Sequence, residues 1–137
     1  MKYSFMSFSC PELNLDEMLG IAAEYGYDGV EPRVESKHRH GIELEASAAY
    51  RAEARMKAIE SGIAYSCVAT SCRYADPASC QKHVDDTLRY IDLAGDIGAP
   101  AIRVFGGAIP AGIDREAAIE ADRQSTRLNS SHRIRSR

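Results

Sequence analysis

The sequence predicts an α/β fold built from consecutive parallel βα units, and three observations support this. Four short apolar segments alternate with longer segments of helical periodicity. The units repeat at a pitch of about 30 residues, which is typical of strands joined by crossover helices. The composition, 45% hydrophobic and 27% charged over 137 residues, fits one globular domain.

The first two units are marked by strand composition and by a capping signal. A strand is predicted over residues 3–9, which are rich in aromatic and small residues and end near a proline, and a second strand is predicted over residues 29–34. Asn14 and Glu17 have the spacing of a capping box, which predicts that the first helix begins here. The second helix is predicted over residues 46–61, with a glycine directly after it.

The third and fourth units follow the same alternation. Strands are predicted over residues 63–70 and 101–106. Between them, Asp76 followed by proline predicts a helix start with the proline at the first helical position, and Gly98 predicts its end. The fourth helix is predicted to start near Asp114.

Two architectures contain such units, a doubly wound sheet and a (β/α)8 barrel. The loop after the first strand, residues 10–14, has no glycine and therefore cannot be a dinucleotide-binding fingerprint. A complete barrel has about 250 residues, so residues 1–122 would form the N-terminal half of a TIM barrel. We therefore expect four parallel strands adjacent in chain order, with the helices on one face of the sheet.

The last stretch, residues 123–137, differs in charge from the body. All 20 acidic residues lie before it, whereas it contains five arginines and no acid. It resembles the STRLNSSH peptide that results from translated sequencing-adapter DNA, which implies a non-native tail and a natural protein that continues beyond Asp122. Without an apolar stripe, such a segment is expected to be disordered or weakly packed, because little buried surface offsets the entropy of ordering.

Several segments together suggest a family. KYSFMSFSC, GYDGVEPR and GAPAIRVFGGAIP, in this order and spacing, resemble the first βα units of the xylose isomerase-like TIM barrels, the superfamily of sugar phosphate isomerases/epimerases and endonuclease IV. The resemblance implies a divalent metal, Mn, Mg, Co or Zn, bound by Glu, Asp, His and Glu of later strands. That metal would polarise a carbonyl while carboxylates move a proton on the adjacent carbon. No such ligand can be assigned to this chain, and no metal is expected for it.

Strand ends and the loops after them face the mouth of a barrel, so polar residues there are candidates for substrate binding. The candidates are Glu31, Arg33, His38, His40, Thr70 and Gly106. Glu31 and Arg33 share one face of their strand because they are two residues apart. They could contact substrate, or form an ion pair that fills the barrel or includes Arg103.

The remaining candidates also have two interpretations each. His38 and His40 precede a glycine and could bind a sugar hydroxyl or a metal, or could be solvated loop side chains. The Thr70 hydroxyl suits a polyol but is equally suited to capping a strand end. Gly106 allows close approach of the backbone to substrate, or a tight turn.

Cysteine usage and hydropathy indicate the cellular compartment that is expected for the protein. The spacing of Cys67, Cys72, Cys80 and His83 matches no structural zinc site, and with no CxxC pair the cysteines are expected to be free thiols in the reducing cytoplasm. No apolar run approaches the roughly 18 residues of a membrane span, and the N-terminus lacks a secretory signal. A membrane association is therefore not expected.

The resemblance to the xylose isomerase-like TIM barrels implies a parent that is a sugar or polyol isomerase or epimerase with a small-molecule sugar substrate. An endonuclease IV-like hydrolase is the alternative, but its zinc-binding histidines at the ends of the third and fourth strands are absent, and the acidic body disfavours nucleic acid. The other alternative is a truncated, inactive chain that self-associates, forming a homodimer through its open sheet edges.

Overall fold

The computed structural model describes the backbone of residues 1–131 and the side chains of residues 1–125. The helices within this part are α1 (Leu15–Glu24), α2 (Ala48–Ser61), α3 (Pro77–Ile97) and α4 (Arg115–Ser131), with a short 3-10 helix at Ser7–Ser9. The strands within it are β1 (Ser4–Met6), β2 (Gly29–Glu31), β3 (Ala64–Tyr65), β4 (Val68–Arg73) and β5 (Ile102–Phe105).

All paired strands are parallel and lie in chain order. β1 pairs with β2 and β2 with β3, while β4 pairs with β5. A parallel bridge between Arg33 and Ala69 joins the two ladders, and the amide of Ala69 donates to the Pro32 carbonyl at 2.9 Å. This order confirms the predicted partial TIM barrel and excludes a doubly wound order. In the described part of the chain β1 and β5 are the edges, and the homodimer through them stays a prediction.

The helices form one layer against this sheet. α1 packs on β2, α2 on β3, and α3 on β4 and β5, and each helix also contacts the next one along the chain. Such a series of neighbours requires that the helices lie on the same side of the strands, as expected. The core between the layers is contiguous and includes Met18, Val30, Val68, Leu93 and Ile97.

The predicted helix boundaries are confirmed by their caps. The Asn14 side chain accepts a hydrogen bond from the Glu17 amide at 3.0 Å, and the Glu17 carboxylate accepts one from the Asn14 amide at 2.8 Å. The Asp76 side chain accepts from the Ala78 amide at the start of α3. Gly62 and Gly98 end α2 and α3 with φ of 70° and 84°, a conformation that glycine adopts at little cost.

Two strand predictions need correction. The segment predicted as one strand over residues 3–9 leaves the sheet after Met6 and turns into the 3-10 helix, because Ser7 is buried and binds the β2 end instead of continuing the ladder. The strand predicted over residues 63–70 is two strands, since β3 pairs with β2 while β4 pairs with β5.

The disorder predicted for residues 123–137 is wrong as far as residue 131. Helix α4 continues through Ser131 and packs against α3. Ser125 is buried, and its hydroxyl lies 2.8 Å from the Cys80 sulfur and donates to the Ala121 carbonyl. Within the described side chains, the contact of Ser125 with Cys80 joins this part of α4 to α3, and weak packing of the segment stays a prediction. Residues 132–137 lie outside the described residues, and the domain boundary at Asp122 stays a prediction.

Two further observations concern the chain as a whole. Cys10, Cys67, Cys72 and Cys80, all in the described part, are free, as predicted. Among the described residues, no helix combines the length and apolar character needed to cross a membrane.

Candidate active-site half

The sheet face opposite the helices carries charged side chains. Glu31 of β2 and Arg103 of β5 form an ion pair with 2.8 Å between Oε1 and Nε. The Arg103 guanidinium also lies 3.4 Å from the sulfur of Met6 and 5.4 Å from the ring centre of Phe105. One of the two interpretations of Glu31, an ion pair with Arg103 across the barrel interior, is thereby confirmed.

Arg33, on the same face beyond the end of β2, is held by several groups. Its guanidinium donates to the Ala69 carbonyl at 3.1 Å and to the Ser71 hydroxyl, and it lies 3.9 Å from the Glu35 carboxylate. It also faces the ring of Phe8 at 5.9 Å. Because the planar guanidinium is fixed at several points, it presents its remaining donors in one orientation.

Ser7 connects this strand end to the loop that follows. The buried Ser7 hydroxyl accepts a hydrogen bond from the Arg33 amide at 2.9 Å and lies 2.9 Å from Nδ1 of His38. Ser7 was not among the predicted site residues, because its partners are 26 and 31 residues away and no local motif marks it. It lies within the strand predicted over residues 3–9, so the sequence pattern gave no signal for its role.

His38 and His40 are close in space but differ in their surroundings. Their rings are in edge-to-face contact with 5.7 Å between centroids. His40 is 1% exposed, its Nδ1 accepts from the Ile42 amide, and its carbonyl accepts from the Tyr50 hydroxyl. Burial, and secondarily the neighbouring His38, lowers the pKa of His40 to about 4. His40 is therefore neutral near pH 7. Its burial contradicts the interpretation as a solvated loop side chain, and contact of its ring with a ligand stays a prediction.

His38 lies nearer the surface than His40. Ser7 engages its Nδ1, so Nε2 is the ring nitrogen left to meet a ligand. The ring also packs edge-on against Phe8 at 5.0 Å, and Phe8 itself is 58% exposed. The structure thus brings Arg33, His38 and Ser7 together and adds an exposed aromatic ring beside them.

Thr70 and Gly106 are engaged elsewhere. The buried Thr70 hydroxyl donates to the Arg103 carbonyl at 2.9 Å and accepts from the Cys72 amide at 3.2 Å. Thr70 lies on the same face of β4 as the core residues Val68 and Cys72. The Gly106 carbonyl accepts from the amides of Tyr74 and Ala75, which joins the segment after β5 to the segment after β4. Substrate contact by either residue stays a prediction.

The donor set does not fit a metal centre. Among the described residues there is no group of three His, Cys, Asp or Glu side chains that could hold a metal ion. Cys67, beside Glu31, is also a poor ligand, because burial and then the nearby carboxylate raise the pKa of its thiol to about 11.

Comparison with known proteins identifies the fold family. A family model described as xylose isomerase-like TIM barrel matches residues 19–130. The chain belongs to this family. The match covers α1 through most of α4, and thus includes the strand ends that carry Arg33, Ser71 and Arg103.

Two solved structures superpose on most of the chain. Protein SMc04130 from Sinorhizobium meliloti 1021 matches with a TM-score of 0.67 and 18% identity, over 94% of this chain and 45% of that one. A xylose isomerase-like TIM barrel/4-hydroxyphenylpyruvate dioxygenase fusion protein matches with a TM-score of 0.66 and 22% identity, over 94% and 21%. At these identities the likeness shows the fold. No curated protein matches the chain.

Proposed function

We propose that this chain is the N-terminal half of a sugar or polyol isomerase or epimerase and supplies one wall of its substrate pocket. The observation that carries the proposal is the convergence of Ser7, Arg33 and His38 at the carboxyl ends of the strands, where barrel enzymes bind their substrates. The chain spans less than half the length of the two solved structures it matches, so the whole activity belongs to a longer protein.

The chemistry of the cluster suits hydroxyl and carbonyl groups. The guanidinium of Arg33 offers N–H donors to a substrate oxygen, while His38, held at Nδ1, offers Nε2 as a donor or acceptor. The nearby Glu31 and Arg103 compensate each other's charge, so the wall is polar without a strong field of one sign. Such a surface can orient a polyol without demanding a charged substrate.

Proton transfer is proposed to take place in the other half of the barrel. A divalent metal held by Glu, Asp, His and Glu of later strands would polarise the substrate carbonyl there. The described residues contain no such set, so the role proposed for this segment is to bind and orient substrate. The proposed setting is the cytoplasm, with a small-molecule sugar rather than a nucleic acid as partner.

The test is to express the chain joined to its downstream coding sequence and to assay a panel of sugars with Mn²⁺ or Mg²⁺ in D2O. Proton transfer next to a carbonyl incorporates solvent deuterium at that carbon, which NMR or mass spectrometry detects. Arg33→Gln and His38→Ala should each lower kcat/KM about tenfold or more, because a misplaced substrate reacts slowly. Arg89→Gln and His83→Ala, on α3, are the matched controls and should leave turnover unchanged.

Other outcomes would point elsewhere. Cleavage of duplex DNA at an abasic site, without deuterium incorporation into any sugar, would support the endonuclease IV-like alternative. If neither activity appears and the metal does not bind the longer protein, the non-catalytic alternative holds. Equal decreases of kcat/KM in the Arg33 and Arg89 variants would show that the cluster of Ser7, Arg33 and His38 does not line the substrate pocket.

A further inference from the structure

The loop between β2 and α2 contains two residues in the left-handed region that are not glycine. Glu35 has φ of 65° and Lys37 has φ of 52°. Side chains with a Cβ atom adopt this region at an energetic cost, so the surroundings must hold them there. The loop backbone is therefore strained directly after the strand end that carries Arg33. The group that holds it in this conformation can be identified.

The holding group is the carboxylate of Glu43. Its Oε2 accepts a hydrogen bond from the Glu35 amide at 2.7 Å, and its Oε1 accepts one from the Lys37 amide at 3.1 Å. Backbone N–H groups that converge in this way form a concave binding site for an anion. Here the anion is supplied by the chain itself, and the bonds are strengthened by its charge.

The held loop in turn fixes the two binding side chains. The Glu35 carboxylate accepts from the Ser71 amide at 2.6 Å and lies 3.9 Å from the Arg33 guanidinium. The residue that follows Lys37 is His38, whose Nδ1 meets the Ser7 hydroxyl. The backbone path from Glu35 to Lys37 therefore sets the positions of both Arg33 and His38.

We infer that Glu43 is a positioning residue: by binding the amides of Glu35 and Lys37 it holds the loop that orients Arg33 and His38. That these two side chains meet substrate rests on the proposed function. That Glu43 holds the loop is a property of this chain alone, so it can be tested without an activity assay.

The experiment compares Glu43→Gln with Glu45→Gln in the full chain. Glu45 is exposed two residues away, so its variant removes the same charge without touching the loop amides. In Glu43→Gln we expect amide hydrogen exchange over residues 35–41 to become about tenfold faster, while α2 is unchanged, because one charge-assisted bond is lost. The 15N signal of the hydrogen-bonded His38 Nδ1 should also shift toward that of a free imidazole.

A rescue variant separates positioning from general destabilisation. Lys37→Gly added to Glu43→Gln should return both the exchange rates and the His38 signal toward wild type, because glycine adopts positive φ freely. Ser36→Gly in the same background is the control, since Ser36 is not left-handed, and should give no rescue. Unfolding of the Glu43→Gln chain that Lys37→Gly does not reverse would overturn the inference.

The remaining outcomes are equally decisive. Unchanged exchange in Glu43→Gln, or equal acceleration throughout the chain, would refute a holding role for Glu43. If the loop responds as expected but the longer protein isomerises no sugar, the positioning role stands and the proposed function fails. If Arg33→Gln lowers turnover while Glu43→Gln leaves the loop unchanged, the proposed function stands and the positioning role of Glu43 fails.

Discussion

Strands β2 and β5 belong to equivalent βα units but differ sharply in how they are covered. β2 has a strand on each side and α1 on its helical face, and Val30 at its centre is fully buried. β5 has β4 on one side and is the sheet edge in the described part of the chain, and Phe105 at its end is 44% exposed. The same local pattern thus yields a core strand in one place and a half-covered strand in the other.

Whether a strand is buried therefore depends on the neighbouring βα units of the barrel and not on the strand's own βα unit. Around β5, exposed apolar side chains accumulate, among them Val104, Phe105, Ile109, Ile113 and Ile119. In a closed barrel a further unit would pack beside this one. The stability of the chain should therefore be concentrated around β2, and three measurements can test this.

The largest expected difference lies in truncations of apolar side chains. Met18 on α1 is fully buried in the core beside β2, so Met18→Ala should lower the free energy of unfolding by about 2–5 kcal/mol. Phe105→Ala, at the exposed end of β5, should lower it by about 1 kcal/mol or less, because little area is removed from the interior. Urea denaturation of both variants measures this, and equal losses would contradict the comparison.

Acid should act on the β2 side of the molecule first. His40, in the loop after β2, has a folded-state pKa of about 4 against an ordinary value of 6.5. As pH falls from 6.5 to 4, the unfolded state takes up the proton and the folded state does not. Stability is therefore full above pH 6.5 and is lost on the way down to pH 4, by up to about 3 kcal/mol.

Urea unfolding at pH 7, 5 and 4 tests this dependence. The free energy of unfolding of His40→Gln should lack the decrease below pH 6.5 that His40 causes. The variant will nevertheless be less stable than the wild type at pH 7. His83→Gln on α3 serves as the control and should keep the wild-type slope. A His40→Gln chain with the full wild-type slope would show that another group is responsible.

The smallest expected difference concerns two glycines, one at the start of β2 and one directly after β5. A Cβ atom on Gly29 in β2 would lie 2.7 Å from the Ala64 carbonyl oxygen, so Gly29→Ala must push β2 and β3 apart. The expected loss is about 1–3 kcal/mol. A Cβ atom on Gly106 after β5 meets nothing closer than 3.9 Å, so Gly106→Ala should change stability by about 0.5 kcal/mol or less. Thermal unfolding followed by circular dichroism distinguishes them, and a larger effect at Gly106 would reverse the comparison.

The fold was largely predictable because its signals are local. The Asn14 capping box, the Asp76 cap and Gly98 act within a few residues of themselves, so the sequence marks them directly. The candidate site was only partly predictable. Arg33 was identified by its place at the end of a predicted strand, and His38 by its place in the loop that follows. Ser7 and Glu43 were not identified, because their roles depend on partners that only folding brings near.

By itself, the sequence determined the order of the elements, their caps and the parallel topology, since periodicity and capping residues act over one or two turns of chain. Only the tertiary structure decided that Ser7 ends β1 and binds the Arg33 amide, that Thr70 is engaged by backbone, and that α4 continues past residue 122 by packing on α3. Each of these depends on a contact between residues distant in the chain. Such a contact can hold a residue in a conformation that its local sequence does not favour, so the local sequence pattern does not predict it.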